Sequence, residues 1–367
     1  VPLQSYTCPD GGTGSHRLPA QNTIKVSTER GVGVAKMVTP RVTSVGRDLF
    51  GCDSLEGVEL ENQPTAASCF GSHWEQRLFM YELMASTSAH HAVYSALTLA
   101  ALEDSGWYRA NYSVAQPLLW GREEGCAFAT AGCITPSGAA QDGRHFCTEP
   151  MQAGCTADLR ARGYCNLASY TSALPTGYQH FAPSGEPAKG GSLSVADYCP
   201  FYQGWANGAC DDPSNLPANN YRAERYGASS RCFATAVSQV INSNVLDSPQ
   251  GVGCYPTRCA RDPAAARGVV LQVAVAVSCY PTCTAGGVEE IFWLNCSTPG
   301  ATLALPPEVL AAGSLSGSLT CPDDPYLICA AHDCPSRCQG GDACAAGVCT
   351  CGLAFGRECC GAANCSY

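Results

Sequence analysis

Cysteine constrains this chain more than any other residue: there are 26, an even number, spread from Cys8 to Cys365. Few of them sit in the paired C-x-x-C spacing that structural zinc needs. Disulfides formed in an oxidising compartment are therefore the expected use, in place of zinc clusters. At 367 residues the chain has room for two or three domains. Charged residues make up 14% of it, well below the usual quarter, lysine is scarce, and the net charge is −10. With no basic patch for phosphates, nucleic acid is not an expected partner. Sequons at Asn111, Asn295 and Asn364 agree with passage through the secretory pathway. The last two have cysteine as their middle residue and are poorer acceptors if that cysteine is cross-linked. The expected location is the cell surface or the extracellular space. No apolar run approaches the roughly 18 residues needed to span a bilayer. No signal peptide opens the chain, so Val1 reads as the start of a mature or trimmed product.

Local patterns set out the elements. Residues 35–40 suggest a short strand. Residues 41–50 suggest a short helix with Gly51 as its C-cap. The acidic residues of 55–61 read as a solvated loop, since a calcium site needs oxygen ligands at set, closer spacing. The clearest helix runs from Ser88, a candidate cap, to Tyr108, closed by Gly106. It is apolar on nearly all sides and so expected to be buried. From Cys126 to Cys232 the chain should be loop-rich and stapled, with an exposed Pro/Gly/Ser-rich stretch at 183–194. Val269, Leu271, Val273, Val275 and Val277 alternate as a strand should, and 291–294 is a second strand. A small β-sandwich is expected over 250–330. After Cys329, the spacing of Cys334, Cys338, Cys344, Cys349 and Cys351, then Cys359-Cys360, resembles an EGF-like module. A module this small needs disulfides to fold.

Gly71-Ser72-His73, Arg77 and Glu82-Leu83-Met84 bring a family into view. With Glu103-Asp104-Ser105-Gly106-Trp107-Tyr108, Trp120-Gly121, Gly125-Cys126-Ala127-Phe128, Asp197-Tyr198-Cys199-Pro200, Ser230-Arg231-Cys232-Phe233 and Leu319-Thr320-Cys321-Pro322, the chain resembles leishmanolysin, a surface zinc metalloprotease, over residues 35–330. The resemblance implies a mixed α+β fold. Residues 1–120 would be the lower catalytic subdomain of a metzincin, and 121–330 a cysteine-rich, partly β C-terminal domain. The EGF-like module would occupy 331–367, with Cys334–Cys344 and Cys338–Cys349 paired and Cys351 joined to Cys359 or Cys360. It also implies that His73 is the third zinc ligand and Met84 the methionine of the turn that underlies the metal.

The upstream half of such a site is missing. The family's first two zinc histidines stand one helical turn apart in His-Glu-x-x-His, whose glutamate is the general base. None of His16, His73, His90, His91, His145, His180 and His332 belongs to that motif. His90-His91 point to different helix faces, and Glu75 or Glu82 as a replacement base would lie on the wrong side of the metal. No catalytic residue is therefore assigned within this chain. Zinc is expected only if the upstream segment is supplied, for example by an associated N-terminal fragment. Two functions stand side by side. One is a surface or extracellular zinc metalloendopeptidase acting on protein substrates. The other is an inactive pseudoprotease serving as an adhesion or structural glycoprotein that contacts extracellular proteins through its EGF-like tail.

Overall fold

The computed structural model of the protein describes residues 22–63, 71–89, 91–218, 220, 222–241, 244–246, 251–262, 269–277, 290–307, 309 and 315–329, together with short strands at 4–7, 13–16, 343–345 and 348–350. It is mixed but rich in sheet. The chain forms two compact units. The first comprises 1–148, 167–200 and 330–367, the second 149–166 and 201–329.

In the first unit, Arg30 and Gly31 both take positive φ (53° and 79°). That backbone matches the twist of a two-residue hairpin. It joins strands Ile24–Glu29 and Val32–Met37, and Val58–Leu60 adds to the other edge of the second strand. Helix Pro40–Phe50 takes in Pro40, expected at the end of a strand, near its first position, and ends at Gly51 in the left-handed conformation (φ 67°), the C-cap its sequence predicts. Its buried stripe includes Val42, Val45, Leu49 and Phe50. The second helix is shorter than expected. It spans Ala96–Asp104, and its cap is Ser95, whose hydroxyl accepts from the Leu97 amide at 3.2 Å. Burial is one-sided as well: Leu97, Leu99 and Ala100 are enclosed while Leu102 is exposed. The segment before Ser95 is not helical because its backbone is engaged elsewhere, with Leu83 N–H donating to Val93 O and Val93 N–H to Tyr81 O. Asp104 Oδ2 accepts the amides of Arg41 and Val42 (2.9 and 3.0 Å), so the end of the second helix caps the start of the first. Phe50, Phe79, Trp120, Phe128 and Phe146 form an aromatic core, with Phe128 and Phe146 stacked at 5.7 Å.

In the second unit a six-stranded antiparallel sheet runs, in spatial order, through Glu290–Cys296, Val269–Val277, Val252–Arg261, Ser230–Thr235, Ser318–Thr320 and Thr302–Ala304. The alternation at 269–277 reads correctly. Leu271, Val273 and Val275 pack with Phe233, Tyr255 and Leu319, whereas Gln272 bonds Arg258 and Asn295 on the other face. The expected sandwich is replaced by this single large sheet. Its core also includes Leu305 and Val309 from the chain between strands and Leu315 from a three-stranded sheet of Asn244–Leu246, Ser238–Ile241 and Leu315–Ser316.

Disulfides staple both units. Cys52–Cys126 and Cys133–Cys199 lie in the first. Cys155–Cys232, Cys210–Cys254, Cys259–Cys329 and Cys296–Cys321 lie in the second. Within 183–194 residues 183–186 are exposed, but Lys189–Gly191 pairs as a strand with Leu167–Ser169. In the tail, Ala343–Ala345 and Val348–Thr350 form a hairpin that sets Cys344 opposite Cys349. Cys334, Cys338, Cys351, Cys359, Cys360 and Asn364 lie outside the described residues, as does the EGF-like pairing that involves them.

Candidate functional site

Residues 71–75 extend the small sheet of the first unit. Gly71 N–H donates to Glu61 O (2.5 Å), Glu61 N–H to His73 O (2.9 Å) and Glu75 N–H to Glu59 O (3.1 Å). Trp74 is buried, while His73 just before it is exposed. On the far side of this segment, Trp74 N–H donates to Met84 O at 3.0 Å. A single residue thus couples the His73 segment to the Met84 turn. Leu83 and Met84 are exposed by 56% and 42%, which is unusual for apolar side chains set on a rigid frame.

The turn is held by a carboxylate. Glu82 is buried, and its Oε1 accepts from the Ser95 hydroxyl (2.8 Å), the Thr98 hydroxyl (2.7 Å) and the Ser95 amide (3.3 Å). Its Oε2 accepts from the Met84 amide. Trp74 Nε1 donates to Thr98 Oγ1 at 3.0 Å, so turn, helix cap and His73 segment share one hydrogen-bonded network. Glu82 is thereby occupied as a structural acceptor.

A second carboxylate works from the other side. Glu61 is 3% exposed. It accepts from the Ser86 hydroxyl (2.5 Å), the Gln63 amide (2.8 Å) and, more distantly, the Gln76 amide (3.4 Å). The expectation of a solvated acidic loop at 55–61 is overturned here: Val58–Leu60 is a strand, and Glu59 is only 2% exposed. Its charge is matched by groups distant in sequence. Arg30 grips Glu59 with two bonds (2.9 and 2.8 Å), and Arg77 lies 3.8 Å from Glu59 and 3.3 Å from Asp197. Burial alone would raise Glu59, but Arg30 outweighs it and holds the carboxyl below its usual range. Burial pushes Glu61 up to about 7 against its hydrogen-bond donors. It drives Glu75 well above the ordinary range, helped by the neighbouring charges of Asp197, Glu61 and Glu59. Asp197 is also raised by burial, against the pull of Arg77 and Arg30. Arg77 further donates to the carbonyls of Phe128 and Ala131, both at 3.3 Å, at the end of helix Gly125–Thr130. Glu75, expected not to act as a base, is wholly buried in this cluster.

Two other groupings bring metal-binding residue types together, and neither is free to bind one. Cys133 and Cys199 are bonded to each other at 1.98 Å beside His180. His145, fully buried with Glu124 and Asp142 nearby, accepts the Gly121 amide on Nε2 at 3.0 Å and donates from Nδ1 to Asp142, while Arg144 engages Glu124. Burial, opposed by Asp142, lowers the His145 imidazole to about 4, and a neutral ring is what this bonding requires. His91 is described, but His90 lies outside the described residues. The framing roles of Glu61 and Glu82 are not readable from the sequence. Their one local signal is acidic residues set among apolar ones, which fits an exposed loop equally well.

The family profile of leishmanolysin matches residues 16–332. A leishmanolysin-like peptidase of Drosophila melanogaster is 38% identical over 255 residues, which is 62% of this chain and 37% of that protein. A leishmanolysin homolog of Crithidia fasciculata is 32% identical over 293 residues, 79% of this chain and 40% of the relative. The leishmanolysin of Leishmania donovani is 31% identical over 301 residues, 82% of this chain and 46% of the relative. The chain thus spans less than half the length of these relatives. Ordered landmarks from His73 to Cys321, their observed burial and cross-links, and a profile match over most of the sequence lead to one conclusion: the chain belongs to the leishmanolysin family of metalloproteases.

Proposed function

We propose that this chain carries the downstream part of a zinc metalloendopeptidase site that works on proteins at the cell surface or outside the cell. The observation that carries the reading is the outward-facing His73, held one hydrogen-bonded residue away from the exposed Met84 turn. Among the described residues no hydrogen bond or ion pair engages the His73 imidazole, so its ring nitrogens suit one coordination position. The other two ligands and the base glutamate belong to a His-Glu-x-x-His segment that this sequence does not contain. Zinc, when bound by the completed set, supplies a polarised carbonyl and an acidified water. This chain's residues position and exclude. Trp74 anchors the ligand segment, Glu82 and Glu61 fix the turn and the sheet edge, and Leu83 and Met84 offer an apolar floor. Disulfide density and the absence, among the described residues, of any helix long and apolar enough to cross a membrane accord with a secreted or surface location.

Metal analysis and intact mass of the native protein under non-reducing conditions test the proposal. One zinc per molecule, lost in His73→Ala without loss of the fold, is expected, together with chelator-sensitive peptidase activity. A native protein free of zinc and inert on peptides refutes it and favours the adhesion or structural glycoprotein.

A further inference from the structure

Asn111 stands out from the other sequons by its setting. It is exposed in a single 3-10 turn, Tyr112–Val114, and its Oδ1 accepts both the amide (3.1 Å) and the hydroxyl (2.7 Å) of Ser113. The sequon's acceptor and its hydroxyl are already in contact on an open loop. Asn295 differs. It lies within strand Glu290–Cys296, its Oδ1 accepts from Gln272 Nε2 at 2.7 Å, and the next residue is the disulfide-bonded Cys296. The same short loop carries the most exposed tryptophan of the described chain. Trp107 is 86% exposed, Tyr108 is 61% exposed, and Val114, just beyond the turn, is 56% exposed. The loop is not loose. Its start is capped by Ser105, and its end is pinned by Gln116 N–H donating to Tyr94 O at 2.8 Å. A held loop that presents two bare aromatic rings to water presents them to something.

We propose that Asn111 is N-glycosylated and that the first sugars of its glycan lie over the faces of Trp107 and Tyr108. Tyr108 and Trp107 stand three and four residues before the acceptor on the same exposed stretch of chain. The C–H-rich face of an N-acetylglucosamine matches an aromatic ring, as a flat apolar surface bordered by polar groups does. In the attachment step Asn111 Nδ2 bonds to the anomeric carbon of a lipid-linked oligosaccharide. The bond from that carbon to the lipid pyrophosphate breaks, one Nδ2 proton is lost, and the lipid pyrophosphate leaves. The inference rests on secretory passage, which the function proposed above also requires, but it needs no zinc and no peptidase activity.

The test is glycopeptide mass spectrometry with hydroxyl-radical footprinting on the full chain secreted from eukaryotic cells. The expected result is a glycan on Asn111 with Asn295 unmodified. Trp107 should oxidise several-fold more slowly than in Asn111→Gln or Ser113→Ala, the second of which keeps the asparagine in place. An unmodified Asn111 in a protein that yields the linked Cys52–Cys126 peptide overturns the site while leaving the oxidising compartment intact. Reduced cysteines with an unmodified Asn111 overturn both readings. A glycosylated Asn111 with equal Trp107 oxidation in parent and variants overturns the packing of sugar on the rings.

Discussion

Replacing Glu82 by glutamine exchanges one carboxylate oxygen for an amide nitrogen and changes almost nothing in size. Three donors converge on Oε1, from the Ser95 hydroxyl, the Ser95 amide and the Thr98 hydroxyl. The amide oxygen therefore keeps that position, and the new NH2 group faces the Met84 N–H. A hydrogen bond to a charged acceptor, worth about 1.5–3 kcal/mol, is lost, and a backbone donor is left opposite another donor. Taking the low end of each contribution, the Met84 turn loses about 2.5 kcal/mol of local stability. Hydrogen exchange resolves this residue by residue. At about 1.4 kcal/mol per decade, the Met84 amide should exchange roughly 60-fold faster in Glu82→Gln. The Ser95 and Leu97 amides, whose acceptors survive, should change far less. Glu82→Ala removes every acceptor and should free the Ser95 amide as well. If Met84 exchange rises less than about fivefold in Glu82→Gln, the carboxylate does not hold the turn and the reasoning fails.

Three further outcomes follow from the described contacts. His145 is buried neutral, titrating at about 4 against 6.5 for a free imidazole. The unfolded chain therefore takes up its proton first, so stability falls as pH drops from about 6.5 to 4, by about 3 kcal/mol in full. Glu61 acts with the opposite sign between 4.5 and about 7, where the fold keeps a proton that the unfolded chain has lost. Urea midpoints across this range should show a shallower acid limb in His145→Gln and a smaller loss towards pH 7 in Glu61→Gln. Arg77→Met leaves Glu59 and Asp197 short of one cation and the Phe128 and Ala131 carbonyls short of a donor. A loss of about 3–5 kcal/mol is expected in chemical denaturation. Gly121→Ala adds a Cβ 2.5 Å from the Phe128 ring and 2.8 Å from the Phe50 ring at φ 71°, so calorimetry should report a lower melting temperature.

The parts of this fold that local chemistry decides were readable in advance. Gly51 closes a helix because its left-handed backbone suits the end and not the middle, whereas Pro40, expected in a strand, instead begins that helix. The period-two run at 269–277 reads as a strand because one of its faces meets a core. The start of the second helix was not readable. Ser88 is a good cap on paper, but the helix starts after Ser95 because Tyr81 and Leu83 draw the Val93 backbone into bridging hydrogen bonds. Glu59 and Glu61 misled for a deeper reason. Their burial depends on Arg30 and Arg77 and on donors from residues 76 and 86, none of them local in sequence. At the candidate site, the resemblance to leishmanolysin singled out His73 and Met84. The Glu82 network that joins them exists only once Trp74, Ser95 and Thr98 meet in space.

The division of the chain between its two units sets an order for biosynthesis. Residues 149–166 belong to the second unit, yet the first resumes at 167 and is not complete through Pro200 until that excursion has been made. Cys52 and Cys126 both precede the excursion and can be oxidised as soon as they emerge, whereas Cys133 must wait for Cys199 on its far side. Cys155, deposited early, has its partner at Cys232 and stays a free thiol while 77 further residues are made. Until Cys199 is made, Cys133 and Cys155 both lack their partners and are only a short stretch of chain apart. Oxidation that outruns synthesis would join them to each other, so the yield of native protein is set by the balance between translation, oxidation and disulfide exchange.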